Sequence, residues 1–119
     1  MREIKFRAWD IINKKMLQYG DIMHLPMWEV LPGTPEQRAF NTMQYTGIKD
    51  MNGTDIYEGD ILLFTSRYGE ESICYVVFEN AAFTIKWIES TYFRTDLDYW
   101  SVKVKVVGNI HEHKELLKV

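Results

Sequence analysis

The sequence predicts a mostly β fold: a small antiparallel barrel or sandwich in one domain spanning residues 1–119. Short stretches of alternating apolar and polar residues recur along the chain, and turn-forming residues separate them. Helical patterns are short, and strands do not alternate with helices as they do in parallel sheets. The hydrophobic fraction of 46% is ordinary for a globular domain, so a chain of this length can bury one modest core.

The N-terminal residues predict a β extension. Residues 3–9 alternate apolar and charged side chains, which predicts a half-buried strand with Ala8 on the inner face and Arg7 on the outer one. A polar turn follows, and residues 16–19 predict the partner strand that pairs back onto the first. The extension is therefore expected to begin with an antiparallel pair.

Residues 23–40 carry three prolines and no alternation, and they predict a loop that completes an N-terminal part at 1–40. The barrel-like part is expected to span residues 41–119. Alternation or short apolar runs predict its strands at residues 41–47, 61–64, 72–79, 82–88 and 101–110.

Turn residues lie between these predicted strands. Asn52-Gly53 is typical of a type I′ turn, whose two central residues both have positive φ. Gly59, Gly69 and the Asn80-Ala81 pair predict three further turns. The strands are therefore expected to connect as hairpins.

The C-terminal quarter predicts one strand after an ambiguous stretch. Residues 89–99 are compatible with either a short helix or a loop. In the strand that follows, alternation predicts Val102 and Val104 inward and Lys103 outward. Residues 112–118 predict one or two helical turns.

Charge and composition limit the classes of function. The net charge of −3 and isoelectric point near 5.6 oppose general binding to a phosphate backbone, which would require a local basic face. No apolar run approaches the roughly 20 residues that span a bilayer, so no membrane partner is expected. The alternating N-terminus does not resemble a signal peptide, and the single cysteine cannot form an internal disulfide. A cytoplasmic location is the expectation.

Few residues suggest catalysis or metal binding. His111 and His113 would share one side of a strand, but no third ligand follows at a spacing typical of zinc sites. Residues 50–55 resemble the opening of a calcium loop and lack its closing glutamate, which favours a turn. Cys74 lies in an apolar strand with no basic neighbour, which favours a packed thiol over a reactive one. We therefore expect no cofactor, no metal and no enzymatic activity.

One group of residues in the C-terminal half predicts a binding face. It mixes aromatic and basic side chains, and we take as candidate site residues Trp87, Tyr92, Arg94, Tyr99, Trp100, Lys103 and Lys105. Stacking platforms beside cations are typical of small barrels that bind single-stranded nucleic acid. The same aromatic residues also suit a core or a protein interface, and alternation places Lys86 on the strand face opposite Trp87.

Several blocks of the sequence resemble the YopX-like family of phage and prophage proteins. The blocks follow one another in the family's order along the chain: MREIKFRAWD at 1–10, MQYTGIKD at 43–50, IYEGDI at 56–61 and VVGNI at 106–110. The resemblance implies an SH3-type β-barrel with an N-terminal β extension and an origin in a bacteriophage or prophage. The resemblance implies no catalytic residue.

These observations favour a non-enzymatic phage accessory protein in the cytoplasm of a bacterial host cell. Its expected partner is another protein or a second copy of itself, giving a homo-oligomer, because the aromatic content is high at 14% and strand edges are available. The alternative is a small barrel that binds single-stranded nucleic acid through the aromatic and basic face.

Overall fold

A computed structural model describes residues 5–22, 40–88, 92 and 94–117. Within these residues the prediction of a mostly β fold is confirmed, with two four-stranded antiparallel sheets and a few short helices. The strands are β1 Phe6–Asp10, β2 Lys15–Leu17, β3 Phe40–Lys49, β4 Asp55–Tyr57, β5 Asp60–Thr65, β6 Glu71–Glu79, β7 Ala82–Ile88 and β8 Val104–Asn109. The helices are α1 Tyr19–Ile22, α2 Leu97–Trp100 and two 3-10 helices at Ser101–Lys103 and Lys114–Leu117.

The strand order is β2-β1-β3-β4 in the first sheet and β7-β6-β5-β8 in the second. The chain divides into two compact units, Met1–Tyr45 and Thr46–Val119, and β3 runs from the first into the second. The predicted loop at 23–40 lies outside the described residues except for its last position. The candidate site belongs entirely to the second unit.

In the first unit, β1 pairs with β2 on one side and with β3 on the other. The predicted outward position of Arg7 is wrong, because Arg7 is buried and lies opposite the buried Met43 in the sheet. Ala8 is buried as well, so β1 is covered on both faces and alternation cannot define an outer one. The predicted partner strand ends at Leu17, and Tyr19 begins α1 instead.

The second unit contains the main hydrophobic core. The predicted shared face of β7 is confirmed: Ile85 lies opposite Val76, Trp87 lies opposite Cys74, and Phe83 packs against the same core. The buried core residues are Ile56, Leu62, Cys74, Val76, Ile85, Leu97, Trp100 and Val104. Because β5 to β8 all contribute to it, this core holds the second sheet and α2 together.

The hairpin between β3 and β4 differs from the predicted type I′ turn. Only Gly53 has a positive φ there (80°), whereas a type I′ turn also requires one at Asn52. The Asp50 carboxylate instead accepts hydrogen bonds from the backbone N–H groups of Asn52 and Thr54, both at 2.8 Å. An aspartate that caps the turn favours a three-residue loop with one left-handed glycine.

The type I′ conformation occurs instead between β6 and β7. Asn80 and Ala81 have φ values of 54° and 64°, and Glu79 pairs directly with Ala82 across the two-residue loop. Asparagine tolerates this left-handed conformation, but the Cβ atom of an alanine makes it costly. The turn therefore contains one strained position.

Replacing Ala81 by glycine is expected to raise the free energy of unfolding by about 0.5–1 kcal/mol, because the strain at positive φ outweighs the added flexibility of the unfolded chain. Urea denaturation followed by circular dichroism measures the change. The matched control is Ala82→Gly, one residue later in β7, which should lower the stability instead. Destabilisation by both substitutions would contradict this account of the turn.

The prediction of a strand beginning at residue 101 is wrong for its first three positions. Ser101–Lys103 continues from α2 as a 3-10 helix, and Val102 is 69% exposed rather than inward. The predicted alternation between inward and outward side chains is observed only from the start of β8, where Val104 is fully buried and Lys105 is exposed. The ambiguous stretch before it contains α2, and the 3-10 helix at Lys114–Leu117 confirms the predicted C-terminal helical turn.

Candidate functional site

An aromatic cluster lies at one end of the second unit's core. Phe64 at the end of β5 contacts Tyr92 and Trp100 edge-on, with ring centroids 5.6 and 5.0 Å apart. Trp87 on β7 contacts Trp100 in the same way at 4.8 Å. Each such pair is worth about 0.5–1.5 kcal/mol beyond the area it buries. The cluster therefore fixes the position of α2 against the second sheet.

The backbone carbonyl of Arg94 joins the two indole rings of this cluster. It accepts hydrogen bonds from the Nε1–H of Trp87 at 3.1 Å and from the Nε1–H of Trp100 at 2.9 Å. An indole nitrogen has a single hydrogen to donate. Both tryptophans thus use their only donor inside the protein, and they offer a ligand only ring surface.

Tyr99 contacts two cations. The guanidinium carbon of Arg94 lies 4.0 Å from the ring centroid, and Nζ of Lys103 lies 5.2 Å from it. Arg94 also donates two hydrogen bonds to the Asp96 carboxylate, at 2.8 and 3.2 Å. These hydrogen bonds lower the pKa of Asp96 and raise the pKa of Arg94, so both groups are charged at neutral pH.

A groove of about 730 Å³ opens beside the cluster. One part of its lining comes from the β5–β6 hairpin, which we call the loop side. Another part comes from α2 with the following 3-10 helix, which we call the helix side, and Tyr92 completes the described lining. Tyr68 on the loop side is 83% exposed, and Tyr99 on the helix side is 40% exposed. The lining residues are Phe64, Thr65, Ser66, Arg67, Tyr68, Glu70, Tyr92, Tyr99, Trp100 and Lys103.

The loop side has a fixed backbone. The Ser66 hydroxyl oxygen accepts hydrogen bonds from the N–H groups of Tyr68 and Glu70 at 3.2 and 3.1 Å. The N–H of Ser66 donates to the Glu70 carbonyl at 2.7 Å, and Gly69 supplies a left-handed φ of 86°. The exposed ring of Tyr68 therefore projects from an ordered turn.

The predicted site residues separate into four groups. Tyr92, Tyr99, Trp100 and Lys103 line the groove, while Trp87 belongs to the aromatic cluster. Arg94 binds Asp96 and packs on the Tyr99 ring. Lys105 lies on β8 opposite Leu63 and is not among the described lining residues.

The sequence interpretation missed the whole loop side of the groove. Tyr68 and Glu70 lie in a stretch that the sequence predicts only as a hairpin loop, and Arg67 directly precedes it. The sequence feature that could have indicated the loop side is Tyr68. It is a large aromatic residue beside a turn glycine, outside any alternating strand pattern, so no sheet face is predicted to bury it. An aromatic side chain at a loop tip is a common binding feature.

The family of the chain follows from a whole-length match. The family model described as YopX protein matches residues 5–118. This chain belongs to the YopX family. The matched residues include the second unit's strands and both sides of the groove. The family model assigns no function.

A solved structure supports the same fold for this YopX-family chain. The crystal structure of protein EF1440 from Enterococcus faecalis is similar over 99% of this chain and 100% of that one. The TM-score is 0.68 and the sequence identity is 27%. No curated protein matches the chain.

The His113 side chain takes part in the local structure near the C-terminus. Nδ1 of His113 accepts a hydrogen bond from the Asn109 N–H at 3.1 Å, and the Asn109 side chain donates to Glu112 at 2.7 Å. A Cβ atom added at Gly108 would lie 2.6 Å from the His113 ring, so glycine is needed there. Within the described ranges, no group of three or more potential ligands is placed to hold a metal ion.

Cys74 is fully buried in the core, and burial raises the pKa of its thiol to about 12. The interpretation of Cys74 as a packed thiol is therefore confirmed.

Among the residues that the structure describes, no helix is long and apolar enough to cross a membrane.

The native protein is expected to resist thiol labelling, because burial excludes the reagent and suppresses the thiolate that would react. Reaction with Ellman's reagent at about pH 8 should be negligible in buffer and complete in urea. Equal rates in the two conditions would contradict the burial of Cys74.

Proposed function

We propose that this YopX-family protein is a non-enzymatic binding module that holds an extended segment of a partner protein in its aromatic groove. The observation that carries the proposal is the exposure of two tyrosine rings, Tyr68 and Tyr99, along one groove of about 730 Å³. Exposed tyrosines on an ordered frame are favourable anchors, because they bury a large area at little cost in conformational entropy.

The topology favours recognition through side chains over the addition of a strand. Strand addition requires a free sheet edge, but β5, which leads into the groove, is already paired with β6 and β8. A polyproline II segment needs no such edge, since its prolines pack between aromatic rings. The hydroxyl groups of Tyr68 and Tyr99 can donate to the carbonyls of such a segment.

Nucleic acid fits the charge of the groove less well. Only Arg67 and Lys103 contribute positive charge among the described lining residues, and the lining also includes the negative Glu70. The whole chain carries a net charge of −3, which opposes binding driven by the release of counterions.

The proposal retains the setting that the family resemblance implies. We place the module in a phage or prophage accessory protein in the cytoplasm of the bacterial host, with the second unit as an SH3-type barrel. The assignment is supported by the half-barrel form of one of the two antiparallel sheets. A homo-oligomer is compatible with the proposal if the bound segment belongs to a second copy of the chain.

Selection from a random-peptide display library tests the proposed function. The wild-type protein should enrich peptides whose binding is lost, by about tenfold or more, in both Tyr68→Ala and Tyr99→Ala. The matched control is Tyr19→Ala, since Tyr19 is also exposed and belongs to the first unit. Light scattering on the same samples shows whether any interaction is self-association.

Two results would count against the proposed function. One is the absence of any enriched peptide whose binding depends on Tyr68 or Tyr99. The other is salt-dependent binding of single-stranded oligothymidine, lost in the same two variants, which would favour the nucleic-acid alternative.

A further inference from the structure

We infer that the segment bound in the groove is acidic, and that one of its carboxylates binds to Lys103 beside the Tyr99 ring. This inference rests on the proposed function and adds the charge of the ligand to it. It is drawn from how positive and negative groups divide between the two sides of the groove.

On the loop side, the described lining contains one cation and one anion, Arg67 and Glu70, so its net charge is close to zero. The guanidinium carbon of Arg67 lies 5.6 Å from the centroid of the Tyr68 ring. On the helix side, Lys103 is the one charged residue in the described lining of the groove, because Asp98 of α2 is not part of that lining. Arg94 is neutralised by the two hydrogen bonds that it donates to Asp96. Lys103 remains exposed there, and within the described residues no carboxylate forms an ion pair with it.

The position of Lys103 also suits a carboxylate ligand. Its ammonium group lies 5.2 Å from the centroid of the Tyr99 ring, a distance at which the ring attracts the cation. That attraction keeps Nζ beside the groove while its N–H donors stay available to a ligand. A proline ring on the exposed Tyr68 and an acidic side chain on Lys103 would thus occupy the two sides of one groove. The geometry favours an acidic, proline-containing segment.

Three labelled peptides of the form Pro-Pro-Pro-Xaa-Pro-Pro-Pro, with Xaa as Glu, Gln or Lys, test this inference by fluorescence anisotropy at low salt. The wild-type protein should bind the Glu peptide about threefold more tightly than the Gln peptide, the size expected for one exposed ion pair. The Lys peptide should bind most weakly. Raising the salt concentration should reduce these differences.

A charge reversal and its matched control identify the responsible residue. Lys103→Glu should reverse the order, so that the Lys peptide becomes the preferred ligand. Lys105→Glu changes the net charge equally but lies on β8, outside the described lining of the groove, and it should leave the order unchanged. Equal effects of the two substitutions would overturn the inference. The net charge of the whole protein, and not Lys103 in particular, would then account for the preference among the three peptides.

The remaining outcomes separate this inference from the proposed function. If the Gln peptide binds as tightly as the Glu peptide and binding still requires Tyr99, the charge assignment is wrong and the peptide-binding function stands. If none of the three peptides binds at millimolar concentration, the inference is overturned. The proposed function then depends on the library selection alone.

Discussion

Replacing Trp100 by alanine is expected to lower the free energy of unfolding by about 3–5 kcal/mol, the usual cost of removing a buried aromatic side chain from a core. The indole is only 5% exposed and contacts Phe64, Trp87 and Tyr92. Its loss would leave a cavity between α2 and the second sheet. It would also remove one of the two hydrogen bonds to the Arg94 carbonyl.

Urea denaturation followed by far-ultraviolet circular dichroism measures this effect without relying on tryptophan fluorescence. Trp100→Phe keeps most of the ring contacts and loses the hydrogen bond, so it should cost clearly less than the alanine variant. Tyr68→Ala removes an exposed ring from the same region and should change stability by no more than about 0.5 kcal/mol. A loss below about 1 kcal/mol for Trp100→Ala would show that the cluster is not part of the core.

The second large effect is expected at Asp50, where substitution by alanine should cost about 3–4 kcal/mol. One carboxylate oxygen accepts hydrogen bonds from the N–H groups of Asn52 and Thr54, and the other accepts from the N–H of Val106, all at 2.8 Å. Asp50 is only 6% exposed, so its loss leaves several donors without acceptors. The contact with Val106 links the β3–β4 hairpin to β8.

Asp50→Asn separates the two roles of the carboxylate. An amide can keep one oxygen for the turn but presents an N–H₂ group to the N–H of Val106, so an intermediate loss of stability is expected. Asp98→Ala removes the same charge from an exposed position in α2 and should change stability little. Hydrogen exchange at Val106 provides an independent measurement, since protection of that amide should fall in both Asp50 variants. Unchanged protection would contradict the proposed link.

Much of the second unit could be predicted because its strands show either ordinary alternation or, in β5, a short apolar run. Phe83, Ile85 and Trp87 share a face as the period of two requires. The same rule failed at Val102, where a helix continues through residues that happen to alternate. It failed at Arg7 because β1 is covered on both faces. Alternation within one strand does not show whether its second face is covered as well.

Only one of the two sides of the groove could be predicted from the sequence. The helix side of the groove could be identified because Tyr99, Trp100 and Lys103 are close in sequence, and a cluster of aromatic and basic residues is visible there. The loop side lies some thirty residues earlier, and only the pairing of β5 with β8 brings the two together. Residue type suggested the chemistry, while the register of the sheet determined which residues share the groove.

The claim that the aromatic groove binds an extended peptide is tested most directly by a ¹H–¹⁵N correlation spectrum titrated with Pro-Pro-Pro-Glu-Pro-Pro-Pro. The account predicts shift changes concentrated at Arg67–Gly69 on the loop side and at Tyr99–Lys103 on the helix side. The amides of α1 in the first unit should stay unchanged. Shift changes that avoid both sides of the groove, or that appear only with oligothymidine, would contradict it.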